Sequence, residues 1–454
     1  MRRDGRPARR MRLGAVGRPL TSYLLFLVGG VVLLRLDPFG FTRLTKFYSQ
    51  DLLAVAMAGC YPDAARGPCV KDGRAQAAVV LVRDADLAAF DEPWPPRYGW
   101  HARVLKAIRV NKPKAVVIDI VFEDKRDDPT IAALAAELER YKAEGIPVYA
   151  ATFGPDRPLR AEVGERVTPV QVPKKIDPLD RVTRFYDLTT GAPNPRLTAV
   201  PTVFRDICGG CRDGGGCDAG AIRVYWSDLP EKSWNDRWLD CRRRPPFPWW
   251  IFQDRGSDFR ENCPSTPTIP ARILLEPTEA DDAAIEDLLA GGVVFYGANF
   301  HGAADAINTP LHNDLPAVFL HSVALDNLIT LGPTALSHRE PTVPLLDVSL
   351  PDFVLFAVIG AFFVLHRTSR RLASSWEGLM RRVRSRLARV VLIALGSQIG
   401  MLVMLAGVAA FVACHIGAAE WFLGVNFLFT VTWTEVLDIT EKLLDAADEF
   451  DPHG

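Results

Sequence analysis

Two apolar patterns alternate along the middle of this chain. Near-continuous apolar runs at Ala77–Val82 and Ala115–Phe122 have no polar face, as expected of strands buried on both sides. Between them Tyr98–Val110 has helical character. Thr130–Glu144 repeats the alternation, with Ile131, Leu134, Leu138 and Tyr141 at helical spacing, then Gly145 and a third strand expected over Ile146–Thr152. This β-α-β-α-β order predicts an α/β domain with a mostly parallel sheet and right-handed crossovers. After a long interval the pattern resumes, with a helix over Ala283–Leu289, Gly291-Gly292, a strand over Val293–Tyr296 and a helix over Ala317–Thr330. Both halves are expected to share one sheet.

Elsewhere the apolar runs suit a bilayer. Spans are expected at 20–35, 351–366, 390–413 and 420–436, an all-α transmembrane segment. The first is short, so Tyr23 and Arg35 are expected to anchor or snorkel at the interface. A cleaved signal peptide is the rival reading there, but the nearest Ala-x-Ala sites, between Ala54 and Ala58, lie too far downstream, which favours a retained anchor. Arginines crowd the N-terminus at 1–19 and the loop at 367–389, placing both in the cytoplasm. Residues 36–350 then lie outside and the acidic tail at 437–454 inside, the topology of a multi-pass protein of the bacterial inner (cytoplasmic) membrane. Within that tail Val436, Ile439, Leu443 and Leu444 gather on one side, so it reads either as a docking helix for a partner or as the frayed end of the last span.

Composition sharpens this picture. A formal net charge of -1 gives no basic field, and nucleic acid is excluded as a partner. Of the eight cysteines, Cys60, Cys69, Cys208, Cys211, Cys217, Cys241 and Cys263 fall in the outside segment, where disulfides persist, and Cys414 falls in a span. Cys60 and Cys69 bracket a turn-rich stretch and are expected to pair; the other five cannot all pair with each other, which leaves a thiol over. Cys208-Gly-Gly-Cys211 has zinc-knuckle spacing without a second such pair or a nearby His, so no metal is expected. Residues 208–263 read as a disulfide-stapled Cys/Trp-rich insertion whose Trp226, Trp234, Trp238, Trp249 and Trp250 form either its own small core or a partner surface.

From about Ala77 to Gly332 the chain resembles the cyclase/histidine-kinase-associated sensory extracellular domain of the second type. The resemblance is carried by the strand ending in Asp84, by Trp94-Pro95-Pro96-Arg97 leading into His101-Ala102, and by Ala115–Phe122 followed by Asp127-Asp128-Pro129. Asp180-Arg181-Val182-Thr183-Arg184 and the closing block of Gly297-Ala298, Asp305, Thr309-Pro310-Leu311, Pro316 and His321 continue it in order. The resemblance implies an outer sensor followed by three membrane helices, a homodimer by analogy, and a cytoplasmic effector. The sequence stops at Gly454, soon after the last expected span, so that effector is expected to be a separate protein.

Asp84, Asp119 and Asn299 are expected at C-terminal strand ends, where open α/β sheets gather ligands. With Trp94, Arg97, His101 and Asp305 from the matching blocks, they form the candidate ligand site. His301, Asp305, His312 and Asp314 offer metal-type donors without a paired spacing. No nucleophile elbow, His-Glu-x-x-His or other catalytic spacing is present, so neither enzyme chemistry nor a cofactor is expected, the remaining enzymatic reading being Asp84 and Asp119 as acid/base carboxylates. The favoured expectation is a membrane-bound sensory or adaptor protein with an unidentified outer ligand; the alternative is an envelope protein that holds a partner through its insertion and signals nothing.

Overall fold

The computed structural model describes most of residues 69–333, omitting 72–73, 124–125, 155–156, 192–194, 212–216, 218–219, 228–234, 240, 242–262 and 301–304; beyond that range it describes 28–32, 35–37, 41–58, 61, 342–343, 348–349 and 353. The chain divides into one compact unit over 54–339 and a second made of 1–53 with 340–454. The described parts of the second include most of the helix Phe41–Met57 and an antiparallel pair, Thr342–Val343 with Val348–Ser349. The four expected spans lie outside the described residues apart from helical residues 28–32 and 35 and residue 353, and the Arg-rich loop and acidic tail lie outside them entirely. Among the described residues no helix is long and apolar enough to cross a membrane.

The 54–339 unit is built on a six-stranded sheet. Its strands are β1 (Ala77–Arg83), β2 (Ala115–Ile118), β3 (Val148–Thr152), β4 (Thr168–Gln171), β5 (Thr268–Pro270) and β6 (Val293–Asn299). They lie in the order β4-β3-β2-β6-β1-β5, all parallel. The two halves of the pattern do share one sheet, and the late strand enters its middle: Val293 of β6 is in register with Ala77 of β1 on one side and Ala115 of β2 on the other.

Because side chains alternate across a strand, each apolar run supplies two faces. Val80, Val82, Val116, Ile118, Val294 and Tyr296 face a core shared with α1 (Tyr98–Val110), α2 (Ile131–Ala143) and α4 (Glu279–Leu289). Val79, Leu81, Val117 and Phe295 are equally buried. Against β1 and β6 lies α5 (Val318–Thr330), which also packs on α3 (Ala199–Asp206). The central helix α5 is apolar almost all round, as a helix enclosed by protein must be. Gly297 permits the close approach of β6 to α5, since a Cβ there would sit 2.6 Å from Val318 Cβ.

The expected strand Ala115–Phe122 ends at Ile118. Asp119 N still donates to Tyr296 O at 2.8 Å, after which residues 120–122 leave the ladder. The strands β4 and β5 had no clear apolar signature because both are short sheet edges. β4 buries only Val170, and β5 ends in Pro270, which an edge tolerates.

The cysteines pair differently from expectation. Cys69 joins Cys208 across 139 residues, Cys211 joins Cys217, and Cys241 joins Cys263. The expected Cys60–Cys69 pair is therefore overturned, and Cys60 lies outside the described residues. The physical reason is tertiary. Cys69 is held beside the start of β1 by the Gln76 N to Cys69 O bond, and Cys208 arrives from the end of α3, so their Cα atoms stand 5.3 Å apart. That cross-connection lets all five cysteines of 208–263 pair, so the odd one of the seven falls to Cys60; among the described residues no cysteine is free.

The described part of the insertion does not form a separate core. Trp226 is buried with its ring edge-on to His312, and Trp238 packs against the main core while its Nε1 donates to Asp281 in α4. Asp281 also closes the capping box of α4 with Thr278, and the Thr278 hydroxyl together with Trp238 holds its carboxyl down to about 2. Asn235 donates to Pro264 O and Thr266 O and accepts from Thr268 N, stitching the segment to β5. Trp234, Trp249 and Trp250 lie outside the described residues.

Two substitutions test this packing. Gly297→Val should force β6 and α5 apart and lower the unfolding free energy by about 1–3 kcal/mol in a denaturant titration. Cys69→Ser opens a 139-residue loop and should cost about 2–5 kcal/mol by the same measurement, with Cys60→Ser leaving the disulfide in place on peptide mapping.

Candidate functional site

Since all six strands are parallel, their C-terminal ends lie along one edge of the sheet, and a cavity of about 340 Å³ opens there. Its floor comes from residues just past the strands: Asp119 to Phe122 after β2, Phe153 after β3, Val172 and Lys174 after β4, and Ala298 and Phe300 at the end of β6. Tyr98 and His101 from the first turn of α1, with Trp94 to Pro96 ahead of it, form one wall; Asp305, Ala317 and His321 form another.

Asp119 is the deepest acidic group. Its side chain is 6% exposed, its Oδ1 lies 3.6 Å from His321 Nε2, and its Oδ2 has no hydrogen-bond partner among the described residues. Burial, helped by the charge of Asp305, pushes this carboxyl well above the usual range, while Lys174 pulls the other way. His321 is fixed by the Tyr186 hydroxyl, 3.2 Å from its Nδ1, and burial with the nearby Lys174 charge lowers it to about 3. Lys174 Nζ stands 3.6 Å from Asp305 Oδ1.

The opposite wall is aromatic. Trp94 lies against Phe300, yet about half its surface stays exposed at the mouth. His101 is buried, with Nδ1 2.8 Å from the Tyr296 hydroxyl and its ring edge-on to Phe122. Burial and the Arg126 charge lower it to about 3. Arg126 lies over the Tyr98 ring and donates to Pro95 O and Pro96 O, both at 3.1 Å. Asp128 fixes this wall from behind, accepting from Tyr98 N at the start of α1 and from Thr130. The Asp127-Asp128-Pro129 stretch thus contributes a helix cap at Asp128, not a ligand.

Of the seven candidate ligand residues, Trp94, His101, Asp119 and Asp305 come together around the cavity. The other three do not line it. Asp84 is exposed at the start of the short helix Asp84–Ala89, and the neighbouring buried acid is Asp86, which accepts from Arg83. Arg97 is held at the surface by a two-pronged bond to Glu92, and Asn299 closes β6 opposite Arg83. Strand-end position placed Asp84 and Asn299 at the right edge but not on the right side of it.

Lys174, Phe300 and Arg126 carried no distinct sequence signal, because each lies in irregular chain after an element. His321 did carry one: a histidine inside a helix that is otherwise apolar. Among the metal-type candidates, His301 lies outside the described residues, His312 is buried against Trp226, and Asp314 occupies a left-handed turn at φ 49°. Among the described residues no group of three or more His, Cys, Asp or Glu side chains could hold a metal ion.

A parallel α/β unit with a largely apolar cavity and a few convergent polar groups at its carboxyl edge belongs to a class of domain in which ligands gather at that edge. The model of the CHASE2 domain family matches residues 25–365, and the chain belongs to that family of extracellular sensory domains. No curated protein and no solved structure matches the chain.

The buried ionisable groups set a pH profile. The folded chain keeps His101 and His321 neutral down to about 3, whereas an unfolded imidazole takes its proton near 6.5, so each lowers stability as pH falls through that window. Asp119 acts in the opposite sense, since its raised value costs stability as pH rises above the ordinary 3.8. Asp305, which burial also raises, acts in the same sense as Asp119, and each of these groups contributes at most about 1.4 kcal/mol per pH unit. Asp119→Asn should raise the urea midpoint near pH 7 and steepen the acid loss; an unchanged slope in the variant would refute this assignment.

Proposed function

We propose that this chain is a membrane-bound sensory or adaptor protein whose outer domain takes up a small ligand in the carboxyl-edge cavity and hands the change to a cytoplasmic effector protein. The observation that carries this reading is Asp119, a nearly buried acid with one oxygen unpaired among the described residues, facing a cavity assembled from the ends of four strands. Such a group is costly unless something completes it, which is the mark of a site built for an occupant. Three disulfides in the same unit suit an oxidising, outer-side location.

A route outward from the cavity is provided by α5. Ala317 and His321 line the cavity, and among the described residues the helix they begin is the last one before the apolar run expected at 351–366. Ligand contacts that differ between two positions of α5 would bias the position of that downstream run.

The test is genetic. Transcript differences between wild-type and deletion strains define the output, and a chain carrying Ala298→Phe, which fills the cavity, should reproduce the deletion profile at normal abundance and topology. A wild-type profile from that variant would sink the sensory reading of the cavity. Cross-linking in native membranes should recover one cytoplasmic partner whose yield differs between the two chains.

A further inference from the structure

The reading of this cavity as a ligand site leaves open what enters it, and the charges around Asp119 narrow the choice. Among the described residues four groups face it: His321 from α5, the Tyr186 hydroxyl behind that imidazole, Asp305 from the segment before Ala306–Ile307, and Lys174 from the chain after β4. His321 and Tyr186 are uncharged at neutral pH. That leaves two carboxyls and one ammonium, and the ammonium sits 3.6 Å from Asp305. With both carboxyls ionised, one negative charge is unmatched among these groups, and burial favours a proton on Asp119 in the unliganded cavity.

Among the described residues the other cation lining the cavity is turned to different work. Arg126 donates to Pro95 O and Pro96 O and covers the Tyr98 face, on the opposite wall. The rest of the cavity lining is largely apolar, with Phe122, Phe300 and Trp94 among Ile120, Val121, Val172 and Ala298. Aromatic faces with an adjacent carboxylate attract an organic cation, because the ring quadrupole and the carboxylate favour the same sign of charge. A metal ion is a poorer occupant, since the described residues gather no set of three or more ligating side chains.

We propose that the cavity binds a small primary organic ammonium, whose N–H groups are received by Asp119 Oδ2 and whose apolar body rests on the Phe122, Phe300 and Trp94 faces. This rests on the cavity being the ligand site. Binding exchanges one cation for another: the ammonium enters with its charge, and the proton held by Asp119 leaves to solvent. Affinity therefore rises with pH until the ligand amine itself loses its proton.

The full chain in detergent or nanodiscs, titrated calorimetrically with benzylammonium, benzyl alcohol and benzoate near pH 7, tests this. Benzylammonium should bind at least about tenfold more tightly than the isosteric alcohol and more tightly still than benzoate, with a heat that changes with the ionisation enthalpy of the buffer. Asp119→Asn should weaken benzylammonium at least about tenfold and abolish the buffer dependence. Lys174→Met, which leaves Asp305 without its 3.6 Å partner, should strengthen it severalfold and decides the matter where the first variant folds poorly. Equal binding of the alcohol or of benzoate, unaltered affinity in both variants, or no binding by any probe overturns the ammonium assignment. Alcohol binding that Ala298→Phe blocks would remove the ammonium and keep the cavity as the ligand site, whereas the sensory reading itself falls only with the transcript profile.

Discussion

The outer domain depends on one pairing, that of β6 with β1 and β2 at once. Seven residues of β6 run in register with β1, and the first four also pair with β2, so a strand that starts at Val293 becomes the seam of a sheet begun at Ala77. Without it β1 and β2 have no shared neighbour, since the strand order places β6 between them. The cavity depends on the same seam. Ala298 and Phe300 reach the cavity that Asp119 lines because β6 pairs with β2 up to Tyr296 and Ile118 and then runs on to the same carboxyl edge, and Gly297 lets α5 close over the other face.

Much of this fold was legible because buried parallel strands need continuous apolar runs. Ala77–Arg83 and the helix Tyr98–Val110 could be read almost residue for residue, and Ile131–Ala143 from its helical spacing. What escaped was whatever rested on tertiary context. The edge strand Thr168–Gln171 buries only Val170, and Thr268–Pro270, though buried throughout, is three residues long with Thr and Pro at its ends, so neither leaves an apolar pattern. Cys69 was assigned to its neighbour in sequence, whereas the true partner is set by how the segment before β1 meets the end of α3, and no local spacing records that meeting.

The site was legible to the extent that strand ends are. Asp119 follows an apolar run directly, and that position alone puts a carboxyl at the ligand edge. Asp84 follows another such run and turns outward, because the chain enters a helix at once and Asp86 takes the buried position. Strand-end position thus fixes the edge, and the first turn after it fixes the direction. His321 and Lys174 belong to neither rule: they reach Asp119 from a crossing helix and an edge loop.

The Cys69–Cys208 bond bears on how the domain can be made. It closes a loop that contains β1 to β4, while β5 and β6 lie beyond it. In a chain delivered from its N-terminus, that clasp can lock before residue 293 arrives. The half-built sheet must then hold two exposed parallel edges, β1 and β2, with a gap one strand wide between them. Biogenesis becomes a matter of timing: the slot has to stay open and unoccupied until β6, the last strand of this sheet, reaches it, because any other extended segment could pair with the same unpaired backbone groups.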